Sequence, residues 1–92
     1  MNFYDINDHY LELIAAEDEK QCLKIYTENV SDVEEEEIFY TEMRTIDKYE
    51  ALKMVAESNI EDGGKLGVEE AFKQLENLKE DGELLIIDGG LL

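Results

Sequence analysis

The sequence predicts an α+β domain in the order helix, strand, strand, helix, helix, strand, built on a short, mainly antiparallel sheet. Three observations carry that expectation. Two stretches in the second half, 48–59 and 68–79, repeat apolar residues at three- and four-residue spacing. Two stretches in the first half, 21–30 and 36–46, concentrate β-branched and aromatic residues. No proline occurs and the first glycine is Gly63, so earlier boundaries must be read from polar clusters.

Asp5 or Asn7 can cap a first helix over 6–17, where Ile6, Tyr10, Leu13 and Ile14 recur at helical spacing. Glu17-Asp18-Glu19-Lys20 reads as a polar turn. Residues 21–30 carry two patterns. Leu23, Ile25 and Thr27 alternate with Cys22, Lys24 and Tyr26, as in a strand; Cys22, Ile25, Tyr26 and Asn29 also form a helical stripe. Residue type favours the strand. After a turn at 29–32, Ile38, Phe39, Tyr40, Thr41, Met43, Thr45 and Ile46 predict a second strand over 36–46, paired with the first as a hairpin.

Asp47 with Glu50 three residues later makes a capping-box pattern. Tyr49, Leu52, Val55, Ala56 and Asn59 then share one face of a helix over 48–59, which Asp62-Gly63-Gly64 stops. Val68, Ala71, Phe72, Leu75 and Leu78 form the stripe of a helix over 68–79. Asp81-Gly82 is a turn, and 83–87 reads as a short buried strand. The expectation is a single acidic domain over 1–90, with 91–92 as a tail.

Charge bounds the function. Twenty-five acidic residues stand against eight basic ones in 92, a formal net charge of −17. Solubility of a small domain needs a magnitude of only about 2–8, and the excess repels itself. Direct contact with nucleic acid is excluded, because phosphates demand a basic face. A basic partner fits instead: a nucleic-acid-binding protein, a nuclease, a toxin or a cation. The 43% apolar content is too high for simple disorder. Cys22 is the only cysteine, so an intrachain disulfide cannot form. The first residues lack a basic and apolar leader, and the longest apolar run is Leu84 to Ile87. A cytoplasmic protein without membrane contact is expected.

The densest acidic segment is Asp32-Val33-Glu34-Glu35-Glu36-Glu37, extended by Glu42 and Asp47 and interrupted by Arg44. Its plain reading is a solvated turn and the charged end of a strand, which blocks edge-to-edge pairing. Its functional reading is phosphate mimicry. A strand rises about 3.3 Å per residue, near the roughly 3.4 Å per nucleotide of one DNA strand. Residues 32–46, acids followed by Phe39-Tyr40, Glu42, Met43 and Thr45-Ile46, resemble the acidic segment of small phage-encoded anti-CRISPR inhibitors of Cas9. The resemblance implies a phage protein that sets carboxylates where a target expects phosphates. The implied partner-binding set is Asp32, Glu34, Glu35, Glu36, Glu37, Phe39, Tyr40, Glu42 and Asp47.

Two other stretches invite a reading. Residues 59–70 resemble an EF-hand calcium loop, with Gly64, Leu66 and Glu70 on the sixth, eighth and twelfth positions. Asn59, Glu61 and Gly63 are poor ligands at the first, third and fifth, so a glycine helix stop followed by a new helix start accounts for the pattern. Continued through Glu76, the stretch also resembles the C-terminal part of some bacterial antitoxins, which implies neutralisation of a basic toxin. Catalytic sets are thin. His9 is the only histidine, Ser31 and Ser58 are the only serines, and Cys22 has no basic neighbour. No cofactor or metal is expected, and the chain reads as a binding protein, not an enzyme.

The charge alone generates a first prediction. Raising salt from about 10 to 150 mM shortens the Debye length from about 30 to 8 Å. The melting temperature of the free protein is expected to rise over that range in a calorimetric scan. A flat or falling value would mean that self-repulsion is not a significant term.

Overall fold

The computed structural model describes residues 1–7, 11–58, 64–78, 81–87 and 90–91. Among these residues five strands form one sheet: β1 (Asn2–Asn7), β2 (Leu11–Ala16), β3 (Met43–Ile46), β4 (Glu83–Ile87) and β5 (Gly90–Leu91). Four helices of the described residues accompany it: α1 (Glu19–Asn29), α2 (Glu36–Glu42), α3 (Lys48–Glu57) and α4 (Val68–Glu76). The sheet order is β3-β1-β2-β4-β5, and every neighbouring pair is antiparallel. The α+β class and the antiparallel sheet agree with the sequence, as do α3, α4 and β4.

The element order in the first half differs. The helix expected over 6–17 is replaced by the end of β1 and by β2. The reason is double coverage. β2 is buried continuously from Glu12 to Ala16, because helices lie on both faces of the sheet. Such a strand shows no polar alternation, and Leu13-Ile14-Ala15-Ala16 then mimics a buried helix segment. Its register with β1 pairs Phe3 with Ala15, Tyr4 with Ile14 and Asp5 with Leu13.

Alternate residues of these two strands feed two cores. Phe3, Leu13 and Ala15 pack with Ile46, Leu85 and Ile86 against Ala51 and Val55 of α3 and Ala71 and Leu75 of α4. Tyr4, Ile6, Ile14 and Ala16 pack against Cys22, Ile25 and Tyr26 of α1 and Phe39 of α2. The β2–β4 register shifts between Leu13 and Ile14, a bulge that lets the adjacent Leu85 and Ile86 serve the same core.

The strand expected over 21–30 is α1. Asp18 caps it, its Oδ1 accepting from the Gln21 N–H at 2.8 Å, while the Gln21 Oε1 accepts from the Glu17 N–H at 2.7 Å. The helical stripe prevails: Cys22, Ile25 and Tyr26 are buried, whereas Lys24 is exposed. The strand expected over 36–46 divides into α2 and β3. Only Met43–Ile46 pairs with β1. The tail expected at 91–92 is also revised, since Leu91 pairs with Ile86 as part of β5.

Asp47 caps α3 as the sequence predicts, accepting from the Glu50 N–H at 2.8 Å. The helix stops at Glu57, where the buried Ser58 donates its hydroxyl to the Val55 carbonyl at 2.6 Å. The stop expected at Asp62-Gly63 lies outside the described residues. Leu66 N–H donates to the Ser58 carbonyl and Gly67 N–H to that of Ala56, which seats α4 beside α3. α4 ends at Glu76, short of Lys79, with Asn77 N–H bonded back to Lys73 and Gln74.

Among the described residues two glycines adopt positive φ, Gly67 at 89° and Gly82 at 79°. A Cβ on Gly82 would lie 2.5 Å from the Ala15 carbonyl oxygen and 2.8 Å from Ile25 Cδ1, whereas one on Gly67 meets nothing within 4 Å. Gly67→Ala is therefore expected to cost only its extended, glycine-favouring conformation at positive φ, roughly 1–3 kcal/mol. Gly82→Ala adds a clash with the backbone of the central strand, and a loss of at least about 3 kcal/mol is expected. Urea denaturation of both variants checks this; equal losses would show that the turn can move off β2.

Candidate functional site

The acidic segment lies between the end of α1 and α2. The α1 helix closes at Val30, whose N–H donates to the Tyr26 carbonyl at 2.8 Å. Residues 31–35 run irregularly, and α2 begins at Glu36. Asp32, Glu34 and Glu35 are thus on a connection and Glu36, Glu37 and Glu42 on a helix. No strand carries these carboxylates, so the match between strand rise and nucleotide rise does not apply. Helical rise is about 1.5 Å per residue.

The sequence explains the helix despite its β-branched and aromatic content. Glu36 and Glu37 occupy its first turn, where carboxylates favour the helix dipole. Phe39 alone is buried, while Ile38 is 53% exposed. The Phe39 ring meets Tyr26 at 5.0 Å between centroids and Tyr40 at 5.7 Å in an edge-on contact. Phe39, expected as a partner contact, is therefore a core residue at 4% exposure. Tyr40 is half-buried beside it.

A groove of about 260 Å³ opens here. It gathers Asp32, Glu34, Glu35 and Glu42 from the expected set around Tyr26, Val33 and Ile38. Glu36 and Glu37 stand exposed nearby on the first turn of α2. Asp47 is elsewhere, with one carboxylate oxygen committed to the cap of α3. The apolar members Val33 and Ile38 were not singled out by sequence reasoning. Their signal was available as apolar residues interleaved with an acidic run.

Charge is divided between the two layers. Residues 17–42 hold ten Asp and Glu against Lys20 and Lys24. The ion pairs among the described residues lie on the other side of the sheet. Arg44 Nη2 meets the buried Asp5 at 2.7 Å and Glu50 at 3.7 Å, Lys48 meets Glu76 at 2.9 Å, and Lys73 meets Glu70 at 3.6 Å. The Asp5 hydrogen bond pushes the Arg44 guanidinium pKa up. Around α1 and α2 the field is negative: burial, then Glu36 and Glu19, push the Tyr40 phenol up. Burial first, with Glu19 adding, pushes the Cys22 thiol up to about 12, so it stays protonated at neutral pH.

Asn59 to Gly63 of the EF-hand-like stretch, and His9, lie outside the described residues. Glu70 of that stretch is in the first turn of α4, paired with Lys73. Among the described residues no group of three His, Cys, Asp or Glu is placed to hold a metal ion. No described helix is long and apolar enough to cross a membrane.

The α3–α4 layer departs from the sequence in one further respect. Tyr49, Val68 and Phe72, all members of the expected core stripes, are 83%, 65% and 50% exposed. Both stripes are wider than the surface the sheet offers.

Residues 1–86 match the family model described as the YosH C-terminal domain, and the chain belongs to that family. The match runs from β1 into β4 and so covers both helical layers. No curated protein and no solved structure matches the chain.

The burial of Phe39 generates a prediction at the site itself. Phe39→Ala is expected to cost roughly 3–5 kcal/mol of folding stability, because it empties the contact among Tyr26, Tyr40 and the sheet. Ile38→Ala, one residue away and exposed, is expected to cost less than about 1 kcal/mol. Denaturant titration of the pair checks the orientation of α2; the reverse ranking would mean that the helix is turned.

Proposed function

We propose that this chain is an acidic binding protein that occupies a basic, nucleic-acid-binding surface of another protein, using its α1–α2 layer as the contact. The observation that carries this reading is the division of charge. Ten carboxylates face two lysines across residues 17–42, and no ion pair among the described residues neutralises them, whereas the ion pairs found there lie in the opposite layer. Self-repulsion in that layer is relieved when a basic surface approaches.

The groove supports a mode of contact. An Arg or Lys side chain has an apolar stem and a cationic head. Val33, Ile38 and the Tyr26 ring can receive the stem, and Asp32, Glu34, Glu35 and Glu42 can take the head in charge-assisted hydrogen bonds. Glu36 and Glu37 extend the field beyond the groove and speed the encounter. Mimicry of nucleic acid then rests on charge density, and the resemblance of 32–46 to anti-CRISPR inhibitors supports the same class of target. A nuclease or another nucleic-acid-binding protein is the fitting partner; no cofactor, metal or catalytic step enters.

The test begins with capture of partners from the source cell at low and moderate salt, followed by competition with duplex DNA or RNA. The variant that replaces Glu34, Glu35, Glu36 and Glu37 with Gln keeps shape and removes four charges. It is expected to remain folded and to associate with the captured partner about tenfold more slowly at low salt, with a flatter salt dependence. A partner that lacks a basic surface, or wild-type association by the Gln variant, would overturn the reading.

A further inference from the structure

We propose that the groove between α1 and α2 is an arginine site: it takes one arginine side chain of the partner in preference to lysine, with the Tyr26 hydroxyl as an acceptor for the guanidinium. The inference rests on the reading of this layer as the contact for a basic partner and names the side chain that the groove selects.

The observation that points there is Tyr26. It is only 6% exposed and lines the groove, its ring held from α1 against Phe39 at 5.0 Å. A buried tyrosine ordinarily engages its hydroxyl in a hydrogen bond. Among the described residues none reaches the Tyr26 hydroxyl. The oxygen is not sealed from solvent either. A phenol packed on its ring, unbonded at its tip and open to solvent presents that tip to the groove it lines.

Size and lining restrict the ligand. The groove's volume of about 260 Å³ is below the roughly 300–1,000 Å³ of pockets that enclose a whole small molecule, and suits a single side chain. Val33 and Ile38 offer apolar surface to its stem. Asp32, Glu34 and Glu35 come from the connection before α2, and Glu42 is the last residue of that helix, so carboxylates enter from both of its ends.

That spread favours a guanidinium. It carries five N–H donors in one plane, is weakly hydrated and stacks on aromatic surface, whereas an ammonium is a compact, strongly hydrated charge with three donors. The planar fork can bond carboxylates from both ends of α2 and the phenol oxygen together. The phenol fits this set because it accepts an N–H while donating its own proton to a neighbouring carboxylate. A lysine in the same groove gains the field but bonds one wall of it.

The test is an NMR titration of the isotope-labelled full chain with three capped tripeptides: Gly-Arg-Gly, Gly-Lys-Gly, and the arginine peptide dimethylated on its guanidinium, which keeps the charge and blocks the forked hydrogen bonds. The unmodified arginine peptide is expected to shift residues 31–35, Ile38 and Glu42, and to bind about fivefold to tenfold more tightly than the other two. Tyr26→Phe keeps the ring and its contact with Phe39 and removes only the oxygen. It is expected to weaken the arginine peptide about threefold or more, with lysine binding and circular dichroism unchanged. The dimethylated peptide probes the same bonds on the wild-type chain should that variant lose its fold. No binding up to about 20 mM, equal binding of the arginine and lysine peptides, undiminished binding of the dimethylated one, or wild-type arginine binding by Tyr26→Phe would overturn the inference. Each of these outcomes leaves the acidic-surface reading standing, since that reading fails on the association rate of the captured partner.

Discussion

The strand pair β1–β2 is the constraint on which the rest depends. These strands lie at the centre of the sheet, and helices cover both faces, so alternate residues of one short segment anchor two separate cores. Ile14 and Ala16 serve the α1–α2 layer, and Leu13 and Ala15 serve the α3–α4 layer. All four are fully buried. The flanking strands β3 and β4 also reach both cores, through Met43 and Ile46 and through Leu84 and Leu85, but the central pair supplies the most deeply buried strand residues of each. A change in β2 therefore disturbs both, whereas a change on either outer surface stays within its own layer. Gly82 belongs to the same constraint. The turn before β4 passes so close to the Ala15 carbonyl that no side chain fits between.

Double coverage also explains what could be read from the sequence and what could not. The α3 and α4 helices were legible because each buries one face and wets the other. Asp47 with Glu50 marked the start of α3. β2 was illegible by period. Covered on both sides, it keeps no polar alternation, and Ile6, Tyr10, Leu13 and Ile14 fall at helical spacing by accident of composition. α1 was misread because Ile25, Tyr26 and Thr27 favour strands as residue types. The better signals were Asp18 with Gln21 three residues on, a capping pattern, and the stripe Cys22, Ile25, Tyr26. In α2, the run Ile38-Phe39-Tyr40-Thr41 reads as a strand by propensity. A single buried anchor, Phe39 against Tyr26, prevails over propensity there.

The candidate site was legible as composition and illegible as geometry. Asp32, Glu34, Glu35 and Glu42 do converge on one groove, although they reach it from a connection and a helix and not from a ribbon. Asp47 separated from them because its carboxylate caps α3. Phe39 moved inward and Ile38 outward, an exchange that a one-residue change in the assumed period produces. What the sequence could not show is the sorting of charge. Acids occur throughout the chain, but the sheet places Arg44, Lys48 and Lys73 with their partners on one side. Among the described residues, the acids of 17–42 make no such pairs on the other.

That sorting resolves an apparent conflict in a chain of such high charge. Excess charge of one sign opposes both folding and self-association, and a uniform distribution would oppose them everywhere. Concentrated in the α1–α2 layer, the repulsion is confined to a surface whose proposed partner is basic, so the same term that destabilises the free layer favours the encounter. The other layer, where Arg44, Lys48 and Lys73 pair with neighbouring carboxylates, carries less of that repulsion. The sheet thus does more than support two cores: it keeps the concentrated negative charge on one side and the paired charges on the other, so that the cost of the first does not fall on the packing of the second.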